Sequence, residues 1–301
     1  MEYPGYPDQA GTLRQLSRDF EMETFMDKTS PRAARVMSVT SGKGGVGKTV
    51  CVANLAVSMA RQGYRVLVID ADLGLANIDL YFGVSPRFNL NHFFSGQKTL
   101  EQILVPAAEQ ITILPAGSGV QRYTRLEPDQ KLSLMEGLDS LHGKFDVVLI
   151  DTEAGISENV TYFNVAAQEI LVVTTPEPTA ISDVYALMKL LSTRYYEKTF
   201  KLIVNCVTSE NEALDVYHKL TLVSSRFIDI SIDFLGAIPL DSRFTDSVRR
   251  QKTLAELYPD SRPSLAFAEL VDTMELESET LAPKGTQQFF WKQLLACSEA
   301  R

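Results

Sequence analysis

Residues 41–50 read SGKGGVGKTV, and this stretch decides the fold class of the 301-residue chain. It contains the whole G-x-x-x-x-G-K-[ST] pattern of a phosphate-binding loop. Such a loop brings backbone N–H groups close to phosphate oxygens, and a Cβ at its glycines would obstruct that approach. The pattern therefore predicts that the nucleotide is bound by Gly44, Gly45, Val46, Gly47, Lys48, Thr49 and Val50.

The flanks of this loop match the strand, loop and helix context that the motif requires. Residues 36–40 (VMSVT) form a short apolar run that favours a β-strand, and residues 51–60 (CVANLAVSMA) are typical of a helix. A helix that begins at the loop directs its positive end at bound phosphate. Lys48 would place a cation on the β- and γ-phosphates, and the hydroxyl of Thr49 would ligate a bridging Mg²⁺.

Two further apolar runs end in carboxylates. Residues 64–70 (YRVLVID) and 145–151 (FDVVLID) both have the pattern of buried strands. Because the carboxyl ends of parallel strands line the ligand crevice, Asp70, Asp72 and Asp151 are candidates for chemistry. Asp151 would hold Mg²⁺ directly or through its waters, and Asp72 would orient or activate the attacking water. The alternative for Asp72 is a structural role in capping the following turn or helix.

Apolar runs and helical patterns alternate along the chain, which predicts a mostly parallel sheet covered by helices on both faces. The predicted strands are residues 36–40, 64–70, 111–115, 145–151, 169–175, 200–207 and 232–239. Helices are predicted at residues 51–60, 128–141, 179–193 and 211–227. The predicted fold class is α/β, with one domain over residues 34–276 and appended segments at 1–33 and 277–301.

Composition narrows the possible functions. The formal net charge of −9 disfavours non-specific binding to nucleic acid, which depends on neutralising phosphates with Lys and Arg. The sequence has no run of about 18 apolar residues and begins without the basic and apolar regions of a secretory signal. Cys51, Cys206 and Cys297 are far apart and form no C-x-x-C spacing, so we expect all three to be reduced. These features favour a cytosolic protein.

The two terminal segments are ambiguous on composition alone. Residues 8–16 (DQAGTLRQL) would form a short capped helix, or else belong to a frayed tail. Near the C-terminus, one helical face would carry Phe290, Trp291, Leu294 and Leu295. Such a face either packs on the protein core or lies in a membrane interface, where aromatic side chains are favoured.

Four segments together resemble the MinD/ParA-type P-loop ATPases and, within them, the FlhG (FleN) family of flagellar-number regulators. They are the loop KGGVGKT, the strand end VIDADLGLANID, the turn DTEAG and the run EPTAISDVYALMKLL. Lys43 is similar to the early lysine of the deviant Walker A motif, which reaches the partner's phosphates across a nucleotide-sandwiched dimer. On the residues alone, Lys43 is equally well an ordinary surface lysine. The resemblance implies a MinD-type fold, ATP or ADP with Mg²⁺, an ATP-dependent homodimer and slow hydrolysis.

The resemblance also assigns roles position by position. The implied roles are catalysis for Lys43, Lys48 and Asp72, and Mg²⁺ binding for Thr49 and Asp151. Asn205, in the strand end IVNCV, stands where relatives contact adenine, and capping is the alternative for this residue.

Both tails match the same family. The N-terminal sequence DQAGTLR resembles the segment by which FlhG proteins stimulate the GTPase FlhF, and the matching residues are Gln9, Leu13 and Arg14. The sequence QQFFWKQLL resembles the family's membrane-targeting helix, with Phe289, Phe290, Trp291, Leu294 and Leu295 as the contacts. The resemblance further implies a flagellar transcriptional activator and flagellar switch-ring proteins as partners. The ATP-bound form would associate with the inner membrane at the cell pole and control the number and placement of polar flagella, with no direct contact to nucleic acid.

The sequence leaves three alternative functions open. A ParA-type DNA-partition ATPase would need a basic surface, which the net charge of −9 opposes. An iron–sulfur carrier or metabolic ligase on the same fold is opposed by the absence of paired cysteines and by the tail motifs. A nucleotide-binding scaffold that scarcely hydrolyses is kept open by Glu153, where relatives usually have a small residue or proline. Aimed at the γ-phosphate, this carboxylate would repel it by about 1 kcal/mol at about 4 Å in water, whereas pointing to solvent it would have no effect.

Overall fold

Strands and helices alternate along the chain in the computed structural model, which describes residues 34–74, 76–117, 125–276 and 289. The strands are β1 (Arg35–Thr40), β2 (Val66–Ala71), β3 (Val105–Ala108), β4 (Ile111–Leu114), β5 (Val147–Thr152), β6 (Glu169–Thr174), β7 (Thr199–Val207) and β8 (Ser231–Pro239). The helices are α1 (Lys48–Arg61), α2 (Ile78–Tyr81), α3 (Leu90–Phe94), α4 (Leu100–Ile103), α5 (Pro128–Asp139), α6 (Glu158–Ala166), α7 (Pro178–Tyr195), α8 (Glu210–Phe227), α9 (Arg243–Arg249), α10 (Leu254–Leu257) and α11 (Arg262–Thr273).

The strands form one sheet in the order β3-β4-β2-β5-β1-β6-β7-β8. Neighbouring strands are parallel except for the antiparallel pair of β3 and β4. The prediction of a mostly parallel sheet is therefore confirmed. Strand β3 was not predicted, because its sequence VPAA contains Pro106 and little that favours a strand. Proline lacks an N–H to donate to a sheet, and the position of β3 at the edge tolerates that loss.

Helices cover both faces of the sheet, as the sequence predicted. Leu55 of α1 and Phe267 of α11 share one core with alternate residues of the central strands. The intervening strand residues face the other way, where Phe163 of α6, Leu187 of α7 and Leu220 of α8 are buried. Every residue of β2, β5 and β6 is buried. Burial on both faces explains why these strands are nearly continuous apolar runs in the sequence.

The strand order places the phosphate-binding loop in the middle of the molecule. Strand β1 lies between β5 and β6, and the loop follows its carboxyl end. Strands β2 and β5 pair so that Asp70 lies beside Asp151. In an open α/β sheet, ligands bind in the crevice outside the carboxyl ends of the strands. The sheet thus brings the loop and the two strand-end carboxylates to one crevice.

The predicted strands and helices that fall on described residues are all present, with small shifts of their ends, whereas the helices suggested for the two tails lie outside the described residues. Helix α6 was missed because its sequence ENVTYFNVA is rich in β-branched and Asn residues, which have low helix propensity. A serine cap supports it, since the hydroxyl of Ser157 accepts a hydrogen bond from the backbone N–H of Val160. Helices α9 to α11 were also missed. None of the described helices has both the length and the apolar character needed to cross a bilayer.

Candidate nucleotide-binding site

The loop between β1 and α1 adopts backbone conformations that only glycine accepts easily. Gly45 and Gly47 have φ values of 83° and 85°, in the left-handed region that side-chain-bearing residues avoid. A Cβ on Gly47 would also lie 2.3 Å from Nδ2 of Asn205. The glycines therefore keep the loop backbone open, which is the property that a phosphate cradle requires.

The amino end of α1 completes an anion site. Helix α1 begins at Lys48, and its N-cap Gly47 supplies no side-chain hydrogen bond. The first-turn N–H groups of a helix have no partners within the helix, and the helix dipole makes this end positive. No acidic residue occupies the first turn of α1. A bound phosphate would accept hydrogen bonds from these N–H groups, and its negative charge would interact favourably with the positive end of the helix.

Lys48 and Asp151 form a buried ion pair beside this anion site. Nζ of Lys48 donates to Oδ1 of Asp151 over 2.6 Å, and the two side chains are 9% and 2% exposed. Lys48 is the cation that the motif directs at phosphate, whereas Asp151 and the neighbouring Thr49 offer the oxygen ligands that Mg²⁺ prefers. These residues fit Mg²⁺ and a nucleotide.

A cavity of about 350 Å³ opens at Lys48 and Thr49, whereas Asp151 does not line it and is linked to it through the bond to Lys48. Its lining comprises Ser41, Lys43, residues 44–50, Asp72, Tyr81 and Ala154. The structure therefore brings Lys43, Lys48, Thr49 and Asp72 together, as the sequence predicted. Tyr81 was not predicted. Burial raises the pKa of its hydroxyl, and the nearby carboxylate of Asp151 raises it further. No motif in the sequence marks Tyr81, which is a lone tyrosine at the end of the short helix α2.

Asp70 does not line this cavity but holds the segment that follows β2. Its carboxylate accepts hydrogen bonds from the backbone N–H groups of Asp72, Asn77 and Ile78, at 3.1, 3.1 and 3.3 Å. Burial raises the pKa of Asp70 to about 8, and the negative charge of Asp151 adds to the rise. Asp70, which the sequence marked as a candidate for chemistry, thus binds the backbone of the loop that follows β2.

Asn205 contacts the phosphate-binding loop. Its Nδ2 donates to the backbone carbonyl of Val46 over 2.8 Å, and the residue is buried. The sequence offered adenine contact or capping for Asn205, and this bond across the fold to the loop was not foreseen. Adenine contact by Asn205 stays a prediction.

The segment after β5 is tied to the same loop. The backbone N–H of Gly155 donates to the carbonyl of Ser41 over 2.9 Å. Glu153 does not line the cavity, because its carboxylate accepts a hydrogen bond from the hydroxyl of Ser157 at the start of α6. The Glu153 carboxylate is therefore engaged at the start of α6 in this conformation.

Lys43 lies at the rim of the cavity with its side chain 40% exposed. Its Nζ lies 3.0 Å from Oε2 of Glu177 and donates to the hydroxyl of Thr179 over 3.0 Å. The Glu177 side chain is 64% exposed, so solvent screens this ion pair. This exposed ion pair therefore contributes little to stability.

One residue of the C-terminal segment is described, and it is buried. The backbone N–H of Phe289 donates to the carbonyl of Ala166 over 3.0 Å, and its ring lies 5.8 Å from Tyr162 and 6.1 Å from Phe163, between centroids. Phe289 therefore packs on α6 in this conformation and does not face lipid; its membrane contact stays a prediction. Outside the described residues lie the other predicted tail contacts, Gln9, Leu13, Arg14, Phe290, Trp291, Leu294 and Leu295.

Known proteins are similar to this chain over most of its length. A family model described as an AAA domain matches residues 34–204. The antiactivator FleN of Pseudomonas aeruginosa is 38% identical over 269 residues, which cover 88% of this chain and 95% of that protein. The flagellum site-determining protein YlxH of Helicobacter pylori is 32% identical over 292 residues, or 96% of this chain and 98% of that protein.

A solved structure shows the same architecture. The septum site-determining protein MinD of Pyrococcus horikoshii, complexed with Mg-ADP, superimposes with a TM-score of 0.63 at 26% identity. The match covers 80% of this chain and 96% of the MinD chain. With its phosphate-binding loop, strand-end carboxylates and strand order all in place, the chain belongs to the MinD/ParA-type family of P-loop ATPases and is similar to FleN (FlhG).

Proposed function

We propose that this protein is an ATP-driven dimerising switch that controls the number and placement of polar flagella. The position of Lys43 carries the proposal. Lys48 already supplies the buried cation of the cavity, so the exposed Lys43 at the rim is a second lysine that a partner subunit can use. Two copies placed face to face would each offer Lys43 to the other's phosphates. The Mg-ADP bound by the related MinD of P. horikoshii supports ATP, ADP and Mg²⁺ as the ligands.

Hydrolysis would use the residues that line the cavity. Asp72 would orient and deprotonate the attacking water, and Lys48 would neutralise charge on the transferred phosphoryl group. Thr49 and Asp151 would hold Mg²⁺, which supplies further positive charge at the β- and γ-phosphates. The buried bond between Lys48 and Asp151 must open before this arrangement forms. A reaction that waits for dimerisation and for this rearrangement would be slow.

The flagellar role rests on relatives that match most of the chain. FleN of P. aeruginosa is called an antiactivator, and YlxH of H. pylori is called flagellum site-determining. We therefore propose a flagellar transcriptional activator, switch-ring proteins and the GTPase FlhF as partners. Gln9, Leu13 and Arg14 would contact FlhF. The net charge of −9 supports partner proteins rather than DNA as targets.

The C-terminal segment would have two alternative positions, one with Phe289 buried on the core and one bound to the membrane. Phe289 packs on α6, and the N-cap residue of this helix, Ser157, donates a hydrogen bond to Glu153. We propose that the ATP dimer releases the C-terminal segment, so that Trp291 and its neighbours bind the inner membrane at the cell pole. ATP-dependent co-sedimentation with phosphatidylethanolamine and phosphatidylglycerol vesicles should be lost in Trp291→Glu. It should be kept in Leu222→Glu, a control on α8 where the native leucine is exposed.

The mass of the protein in solution tests the switch. We expect Asp72→Ala with ATP and Mg²⁺ to be a dimer, and the same variant with ADP to be a monomer. Lys43→Ala should remain a monomer with ATP, whereas Lys189→Ala, which removes an exposed lysine of α7, should dimerise normally. A monomer in every condition would refute the dimerising switch. Salt-dependent binding of the ATP form to DNA would favour a partition ATPase instead.

A further inference from the structure

The carboxylate of Asp70 is the point at which the loop after β2 is fixed. Oδ1 accepts from the N–H of Asp72, at the start of this loop. Oδ2 accepts from the N–H groups of Asn77 and Ile78, where the loop turns into α2. One side chain therefore binds both ends of the segment that leaves the sheet.

Asp70 accepts hydrogen bonds from backbone N–H groups and forms no ion pair with the described residues. Asp70 is 1% exposed, and no described lysine or arginine pairs with it, since Lys48 is paired with Asp151. Both carboxyl oxygens of Asp70 act as acceptors here, and a carboxyl group keeps acceptor capacity on both oxygens even when one of them is protonated, whereas the isosteric amide of asparagine offers one oxygen acceptor and one NH₂ donor. Asparagine at position 70 could serve one end of the loop, but its NH₂ group would oppose the N–H donors of the other end.

Both ends of this loop reach the nucleotide cavity. Asp72 itself donates the hydrogen bond at the first end, and Tyr81 is the last residue of helix α2, which begins at the second end; both residues line the cavity. We propose that Asp70 is a positioning residue for ATP hydrolysis, which acts through the loop backbone to hold Asp72 and Tyr81 at the cavity. Asp70 itself touches neither the phosphates nor the water. The inference rests on the proposed role of Asp72 in hydrolysis.

The test is the turnover of Asp70→Asn under conditions that saturate ATP. We expect kcat to fall by about tenfold or more, because a misplaced general base loses much of a contribution of about 100-fold or more. Affinity for ADP should change by less than about threefold, since the phosphate-binding loop and Lys48 are untouched. The thermal midpoint should fall by less than about 3 °C, because the substitution also removes an ionisable group whose charged form is disfavoured by burial and by the neighbouring Asp151. Asp79→Asn, in the same segment, is the matched control and should behave like the wild type.

A double substitution separates positioning from a general loss of structure. If Asp70 acts through Asp72, then Asp70→Asn combined with Asp72→Asn should turn over no more slowly than Asp72→Asn alone. Wild-type kcat in Asp70→Asn beside an inactive Asp72→Asn would overturn the inference and leave the proposed function standing. Wild-type kcat in Asp72→Asn would instead refute the catalytic role on which the inference depends. A low thermal midpoint with normal kcat per folded molecule would assign Asp70 to stability alone.

Discussion

Replacing the glycines of the phosphate-binding loop one at a time by alanine should separate nucleotide binding from folding. A Cβ on Gly44 meets no atom within 4 Å, and Gly44 does not need a positive φ. Gly45 has a φ of 83° but equally free space, whereas Gly47 combines a φ of 85° with the side chain of Asn205 only 2.3 Å from the new Cβ. The three positions therefore form a graded series within one loop.

The expected magnitudes follow from these differences. Gly44→Ala should raise the free energy of unfolding by up to about 1 kcal/mol, because alanine restricts the unfolded chain. For Gly45→Ala, the left-handed backbone conformation costs an alanine about 1–2 kcal/mol, which offsets this gain. The free energy of unfolding should therefore change little or fall by about 1 kcal/mol. Gly47→Ala must also displace Asn205 from the buried carbonyl of Val46, which costs about 1–3 kcal/mol more. Gly47→Ala should thus be the least stable of the three.

Urea unfolding and titration with a fluorescent ATP analogue provide the two measurements. We expect Gly44→Ala to fold normally yet bind ATP at least about tenfold more weakly, because its Cβ enters the lining of the nucleotide cavity. Equal stability of Gly44→Ala and Gly47→Ala would refute the reasoning from φ and from Asn205. Normal ATP affinity in Gly44→Ala would show that the cavity at this loop is not the nucleotide site.

Three further substitutions test other contacts. Tyr81→Phe should keep its stability and lose about tenfold in ATP affinity by the same titration, if its hydroxyl binds the γ-phosphate; equal loss for ADP would contradict that contact. Glu153→Ala should change ATP affinity by less than about twofold, because the carboxylate faces Ser157, and a tenfold gain would show that it repels phosphate. The buried Glu169 is desolvated, yet its ion pairs with Arg35 and Lys201 hold its pKa below the usual value. The stabilising effect of Glu169 should therefore be full above its unfolded pKa of about 4.3 and be lost as pH falls through the lower folded pKa. In urea unfolding, Glu169→Gln should be less stable by about 3–5 kcal/mol at pH 7, and the difference should shrink in acid.

Much of the architecture could be predicted from local patterns. The apolar strands ending at Asp70 and Asp151 were visible because strands buried on both faces are continuous apolar runs. Strand β3 and helix α6 were not, because their local sequences disfavour the structure that packing imposes on them. Among site residues, Lys48 and Thr49 were predicted from the motif, and the structure places them at one cavity. Tyr81 was missed, since a lone tyrosine in a short helix carries no motif.

The sequence by itself determined the α/β class, the phosphate-binding loop and the carboxylates at the strand ends. These features depend on neighbours within a few residues, whose spacing is fixed by the geometry of strands, turns and helices. Only the tertiary structure decided that Asn205 supports the loop at Val46, 159 positions away, and that Phe289 packs on α6. Contacts of this kind depend on which strands and helices become neighbours, and strand order is set by packing of the whole core rather than by any local pattern.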